Sequence, residues 1–118
     1  MGIPWPFHFD HLGHNMDVAI TLDQVRQRKE AIRRVLETRG AVNPRLFGSL
    51  ARGSADEDSD IDMLIDFRQP APEGFAYFGA LDQLEHELGR LLGAHVHVTV
   101  VDPASPSGRQ ILSEALPL

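Results

Sequence analysis

The stretch RLFGSLARGSADEDSDIDMLIDF, residues 45–67, decides the fold. An apolar run enters a turn at Gly48-Ser49, and small residues continue through Ala51-Arg52-Gly53. An acidic loop then leads to Asp60-Ile61-Asp62 and a second apolar run. That second run alternates. Ile61, Met63 and Ile65 point one way while Asp60, Asp62, Leu64 and Asp66 point the other, which predicts a strand over 61–67. Val42 to Phe47 reads as the strand before it, with Pro44 confining that strand to an early or edge position because proline cannot donate to a ladder.

Working outward, Thr21 to Arg39 carries a helical pattern. Thr21 and Gln24 form a capping box, Leu22, Val25, Ile32, Val35 and Leu36 make one apolar stripe, and Gly40 is a natural stop. Residues 74–93 predict a second amphipathic helix, with Phe75, Phe78, Leu81, Leu88, Leu91 and Leu92 on its buried side and Gly93 at its end. His95 to Val101 alternates as a third strand, and Arg109 to Ala115 reads as a short terminal helix. The order α-β-β-α-β-α predicts an α+β fold, a small mixed β-sheet with helices packed on one face. Residues 1–16 have no helical or strand period and contain Pro4, Pro6 and Gly13. They read as an irregular N-terminal arm preceding one domain over 17–118. His8, His11 and His14 are three apart, as in a metal site, but flanking Pro and Gly and the absence of a capping signal favour a solvated or packed arm over a ligand cluster. Trp5, Phe7 and Phe9 in that arm fit either an interface or packing over the chain's own helix.

A chain of 118 residues suffices for one core. Its 42% hydrophobic and 24% charged content is globular, and the absence of cysteine excludes disulfide scaffolds and Cys-bearing zinc sites. No apolar run reaches the ~20 residues of a membrane span, and no secretory leader pattern is visible, so the expected location is cytoplasmic with no membrane partner. The net charge is −6, and six of the 17 acids fall within positions 56–66: Asp56, Glu57, Asp58, Asp60, Asp62 and Asp66. Elsewhere acids and bases balance at 11 each, so the excess is local. An acidic balance counts against broad binding of nucleic acid.

The chemistry of residues 45–67 follows from their types. Gly48 lets backbone amides approach an anion, and Ser49 adds a hydroxyl donor. If Ser49 begins a short helix, its free N–H groups favour a phosphate. Asp60 and Asp62, two apart on a strand, project from one face with a backbone separation of roughly 6.6 Å. Such a pair can share a hard divalent cation, since Mg2+ takes one or two protein carboxylates together with phosphate oxygens. A phosphate cradle beside a metal carrier is what phosphoryl or nucleotidyl transfer requires. Taken singly, Asp-x-Asp and Gly-Ser are each common. Their conjunction, with ten residues between Gly48-Ser49 and Asp60 and a strand on either side, is specific.

The run Gly48-Ser49-x-Ala51-Arg52-Gly53, followed after five residues by Ser59-Asp60-Ile61-Asp62-Met63, resembles the signature of the DNA polymerase β-type nucleotidyltransferase superfamily. In length and short tail the chain resembles the minimal nucleotidyltransferases, which are encoded beside HEPN-domain partners in toxin–antitoxin pairs. The resemblance spans about residues 20–118. It implies ATP as substrate, Mg2+ as cofactor, and transfer of AMP to a hydroxyl. The implied acceptor is a tyrosine of a HEPN toxin, so that the chain acts as an antitoxin within a hetero-oligomer. By the same resemblance Asp60 and Asp62 are the catalytic metal-binding carboxylates. Gly48, Ser49, Arg52 and Ser59 fall on the nucleotide side, Arg52 near the phosphates. Asp56, Glu57 and Asp58 match no motif position and read as a solvated loop. Small-molecule nucleotidyl transfer and DNA polymerisation are disfavoured, because the chain shows neither a second domain for an acceptor pocket nor a basic duplex-binding surface.

That superfamily commonly supplies a third acid from a later strand. Here the strand reads His95-Val96-His97-Val98-Thr99-Val100, and the equivalent position falls on His97. Asp102 lies roughly 16 Å further along an extended chain. Imidazole ligates Mg2+ poorly yet can act as a base near neutral pH. Three readings of His97 stay open: a substituted base or weak ligand, a mark of reduced or lost turnover, or a different strand register. With the second goes an alternative function, a catalytically weakened nucleotide-binding antitoxin that neutralises its partner by stoichiometric binding.

Overall fold

The computed structural model describes residues 20–56 and 59–118. The arm expected over 1–16, with its histidines and aromatics, lies outside the described residues, as do Glu57 and Asp58. Two short helices, α1 (Leu22–Gln27) and α2 (Lys29–Glu37), lead into strand β1 (Ala41–Phe47). Helix α3 (Gly48–Arg52) follows at once, then β2 (Ile61–Phe67), helix α4 (Phe75–Leu92), β3 (Val96–Thr99), α5 (Pro106–Glu114) and β4 (Leu116–Pro117). The strands form one mixed sheet in the order β3-β2-β1-β4. β1 runs antiparallel to both β2 and β4, whereas β2 and β3 are parallel. That parallel pair needs a crossover, and α4 provides it. The fold is the α+β arrangement expected from the sequence.

The Thr21 capping box forms: Gln24 N–H donates to Thr21 Oγ1 at 3.1 Å and Thr21 N–H to Gln24 Oε1 at 2.8 Å. The single helix expected over 21–39 is instead two, broken at Arg28 with φ −103° and ψ 13°. One turn along from buried Val25 the stripe needs an apolar group, but positions 28 and 29 hold Arg28 and Lys29. The register is picked up again by buried Ile32 and Leu36.

Strand β1 is interior rather than at an edge, although β4 flanks it only at Arg45 and Leu46. Pro44 is accommodated by a register shift between Val42 and Arg45, with Asn43 at φ 57°. A bulge is the other place where a strand tolerates proline. β4 carries no alternation long enough to be read from sequence. It is recruited by tertiary contacts, Leu118 N–H donating to Pro44 O at 3.3 Å and Arg26 Nη2 to Pro117 O at 3.2 Å.

The core lies between the sheet and helices α2 and α4. Ile61, Met63 and Ile65 of β2 and Val96 and Val98 of β3 meet Ile32, Leu36, Leu84, Leu88 and Leu92 there. Burying each such side chain contributes about 1.5–3 kcal/mol. The expected buried side of α4 needs correction. Phe75 is 97% and Phe78 68% exposed, whereas Leu84, missing from the expected set, is fully buried. An 18-residue helix is ~27 Å long and a four-residue strand ~13 Å, so the first turns of α4 overrun the strand it serves. Tyr77 partly covers that overhang, packing edge-on against Phe67 and Phe78 with ring centroids 5.9 and 5.4 Å away. Among the described residues, no helix is long and apolar enough to cross a membrane.

Candidate active site at the Gly48 turn

The chain passes directly from β1 into α3, with Phe47 extended at the N-cap and no side chain capping the helix start. Gly48 stands at φ 73°, a backbone region that residues with a Cβ rarely adopt. Phe47 is the register partner of Asp62 across the β1–β2 pair, so the turn lies over that carboxylate. A Cβ built on Gly48 would run into Asp62 Oδ2. Both the left-handed backbone and this close approach require glycine here. Ser49 is the second residue of α3, one later than a start at Ser49 would place it, and its carbonyl accepts from Ser54 N–H at 2.9 Å, fastening the far side of the turn.

Asp60 sits just before β2 and is exposed, while Asp62 is partly buried within it. Burial holds the Asp62 carboxyl above its ordinary value of 3.8. The nearby His97 imidazole, where protonated, opposes this, the neighbouring Asp60 charge adds to it, and the Arg52 guanidinium opposes it. Asp60, Asp62, His97 and Arg52 therefore share one electrostatic neighbourhood. Among the described residues no donor hydrogen-bonds the Asp62 carboxylate.

Ser59 is committed locally. Its Oγ donates to Asp56 Oδ1 at 3.1 Å and accepts from Asp56 N–H at 3.0 Å, while its own N–H bonds Asp56 O at 3.1 Å. It closes the acidic loop and so sets where Asp60 emerges. Asp102 is likewise used by its own loop, accepting from Ala104 N–H at 2.9 Å.

His97 is the parallel-register partner of Asp62, which removes the reading of a shifted strand. Its side chain is 67% exposed, with Nδ1 3.3 Å from Glu85 Oε2. Glu85, on α4, also accepts the Val98 N–H through that oxygen at 2.9 Å. Sequence reasoning missed Glu85. No motif marks it, and its position depends on β3 lying at the sheet edge, where a helix residue can reach around the strand.

The donor set fits a hard divalent cation in part. Asp60 and Asp62 offer oxygen ligands, and the burial and like charge that oppose ionisation of Asp62 are what a bound cation relieves. Among the described residues no group of three His, Cys, Asp or Glu side chains converges as a ligand set. Two carboxylates leave the remaining positions to phosphate oxygens and water, as Mg2+ tolerates.

Residues 28–118 match the nucleotidyltransferase domain family. The chain is 34% identical over 82 residues to the protein adenylyltransferase MntA of Thermococcus cleftensis, covering 69% of this chain and 78% of that one. It is 33% identical over 93 residues to a protein of Methanocaldococcus jannaschii provisionally named a protein adenylyltransferase, covering 78% and 95% of the two. A solved structure described provisionally as a minimal nucleotidyltransferase superposes with a TM-score of 0.68 at 36% identity, over 84% of this chain and 97% of the other. The spacing from Gly48-Ser49 to Asp60-x-Asp62, the turn seated on Asp62 and these matches agree: the chain belongs to the nucleotidyltransferase domain family.

Proposed function

We propose that this nucleotidyltransferase is a protein adenylyltransferase that moves AMP from ATP to a tyrosine hydroxyl of a HEPN-domain toxin, acting as its antitoxin. The observation that carries the reading is Asp62, held partly desolvated beneath the Gly48 turn with Asp60 beside it and no hydrogen-bond donor among the described residues. The naming of both relatives as protein adenylyltransferases supports the acceptor class.

In this mechanism Gly48 and Ser49 bring the unpaired amides at the start of α3, and the Ser49 hydroxyl, to the triphosphate. Arg52, one turn on, adds positive charge near the phosphates. Asp60 and Asp62 would hold Mg2+, which would supply charge neutralisation and orientation at the transferring phosphoryl group. Keeping Asp62 partly out of water strengthens its grip on a cation. Ser59, by closing the loop on the nucleotide side, holds Asp60 at the mouth of the site.

The test is label transfer from α-labelled ATP to the tyrosine-bearing HEPN protein in the presence of Mg2+. Wild type labels the acceptor, and Asp60→Ala and Asp62→Ala do not. Equal labelling by all three overturns the mechanism. A second reading draws on His97 standing where a third ligand is needed: neutralisation by stoichiometric binding alone. Under it, the double variant lacking both carboxylates still protects cells from the toxin while forming the complex.

A further inference from the structure

His97 and Glu85 come from different layers of the molecule. Val96 and Val98 face the core and α4, so His97, between them, faces the opposite side of the sheet, in register with Asp62. β3 is an edge strand, and its Val98 N–H points away from β2. Glu85 reaches around that edge from α4. One oxygen, Oε2, takes the Val98 N–H at 2.9 Å and lies 3.3 Å from His97 Nδ1. The backbone bond matters because it locks the carboxylate: with Val98 N–H fixing Oε2, the imidazole meets an acceptor whose position the sheet determines. An imidazole whose Nδ1 faces a carboxylate keeps its proton there and leaves the Nε2 lone pair free. The same arrangement orients histidine wherever a carboxylate backs it.

We propose that Glu85 is a positioning residue whose carboxylate holds His97 as the Nδ1–H tautomer, so that Nε2 serves as proton acceptor for the incoming hydroxyl beside Asp62. This rests on the nucleotidyl-transfer reading above and assigns it a base. In the step, the hydroxyl oxygen bonds to the α-phosphorus and the bond from that phosphorus to the pyrophosphate bridging oxygen breaks. Pyrophosphate leaves with the electron pair, and the hydroxyl proton passes to His97 Nε2. The imidazolium then yields that proton to solvent. His97 so placed does the acid–base work that a third carboxylate would do, without having to ligate the metal.

The variant that separates this role from strand capping is Glu85→Gln. Glutamine retains an oxygen for the Val98 N–H, so the edge stays closed, but that neutral oxygen is a weaker acceptor already engaged by the backbone and its neighbour is an amide donor, so the Nδ1–H tautomer loses its preference. Two measurements on the full chain decide the matter. Nitrogen-15 spectra of the histidine rings show His97 as the Nδ1–H tautomer in wild type and a mixture in Glu85→Gln. In the labelling assay, Glu85→Gln lowers kcat by about tenfold and His97→Ala by about 100-fold, both with unchanged KM for ATP. The double variant is no slower than His97→Ala, because Glu85 acts only through the ring. An unchanged tautomer in Glu85→Gln, a wild-type kcat in that variant, or a double variant slower than His97→Ala overturns the proposal. A wild-type chain that transfers no AMP refutes the functional reading instead, and the tautomer comparison still decides whether Glu85 sets the ring.

Discussion

Asp62 and Asp66 stand on one face of the same strand, four residues apart, and are both partly buried. Asp66 is satisfied. Asn43 Nδ2 donates to its Oδ2 at 3.1 Å and Arg45 Nη2 to its Oδ1 at 3.2 Å. Asp62 receives no such donor among the described residues. It lies against Gly48, with burial and the Asp60 charge opposing its ionisation. The contrast separates a carboxylate that holds the fold together from one that the fold tolerates at a cost. Folding alone favours the first arrangement. The second makes sense when a ligand supplies the missing charge.

The sharpest way to break the comparison is Asp62→Asn. Nucleotidyl transfer is expected to fall by about 10³-fold or more, since the metal loses a charged ligand. The unliganded protein should become more stable at neutral pH. The sign follows from linkage. A native carboxyl whose pKa is raised binds its proton more tightly than the unfolded chain does. Stability therefore falls as pH rises from its ordinary value of 3.8 through the raised one, and stays lowered above it. Asparagine removes that loss. Melting temperatures of wild type and variant should coincide most closely in acid and separate with rising pH. A variant less stable than wild type at pH 7 would contradict the account of Asp62.

Gly48→Ala reaches the same carboxylate from the other side. It places an L side chain at φ 73° and pushes a methyl into Asp62 Oδ2. About 1–2 kcal/mol of stability should be lost to the backbone strain. Transfer should fall about 100-fold, because a displacement on the order of 1 Å at a reacting centre costs that much. Denaturant titration and the labelling assay read the two effects separately.

Asp66→Asn tests the structural carboxylate. Arg45, only 20% exposed, loses its charged partner, while Asp66 itself is about half exposed and partly screened by water. The expected cost is about 1 kcal/mol, with transfer within about threefold of wild type. If transfer collapses while the fold survives, the division between the two carboxylates fails. Asn43→Gly, the mildest change, removes one hydrogen bond but relieves a left-handed backbone at φ 57°, and the two should offset to within about 0.5 kcal/mol.

Much of the candidate site is legible before folding because it is local. Gly48, Ser49, Asp60 and Asp62 fall within fifteen consecutive positions, and their spacing survives in the structure as a turn over a carboxylate. The β2 boundaries are legible for the same reason: alternation at period two is a short-range property. The bonds of Ser59 to Asp56 and of Asp66 to Asn43 and Arg45 are not legible in the same way. Which donors and acceptors meet a side chain depends on what folding brings within hydrogen-bond distance, and spacing does not specify that. The burial of α4 was misjudged at Phe75 and Phe78 because an apolar stripe records which face is apolar, not where the strand beneath it stops.

Sequence by itself determined the α+β class, the positions of β2, α4 and β3, and the spacing of a small-residue turn from Asp60-x-Asp62. These follow from periodicity and backbone sterics acting over a few residues. Only the tertiary structure decided that Arg28 breaks the first helix, that β1 is interior, and that Leu116–Pro117 adds a strand. It also decided that His97 lies beside Asp62 with Glu85 behind it. Each of these depends on groups far apart in the chain meeting at one place. Strand order and register bring them there, and strand order is set by packing the whole sheet against its helices.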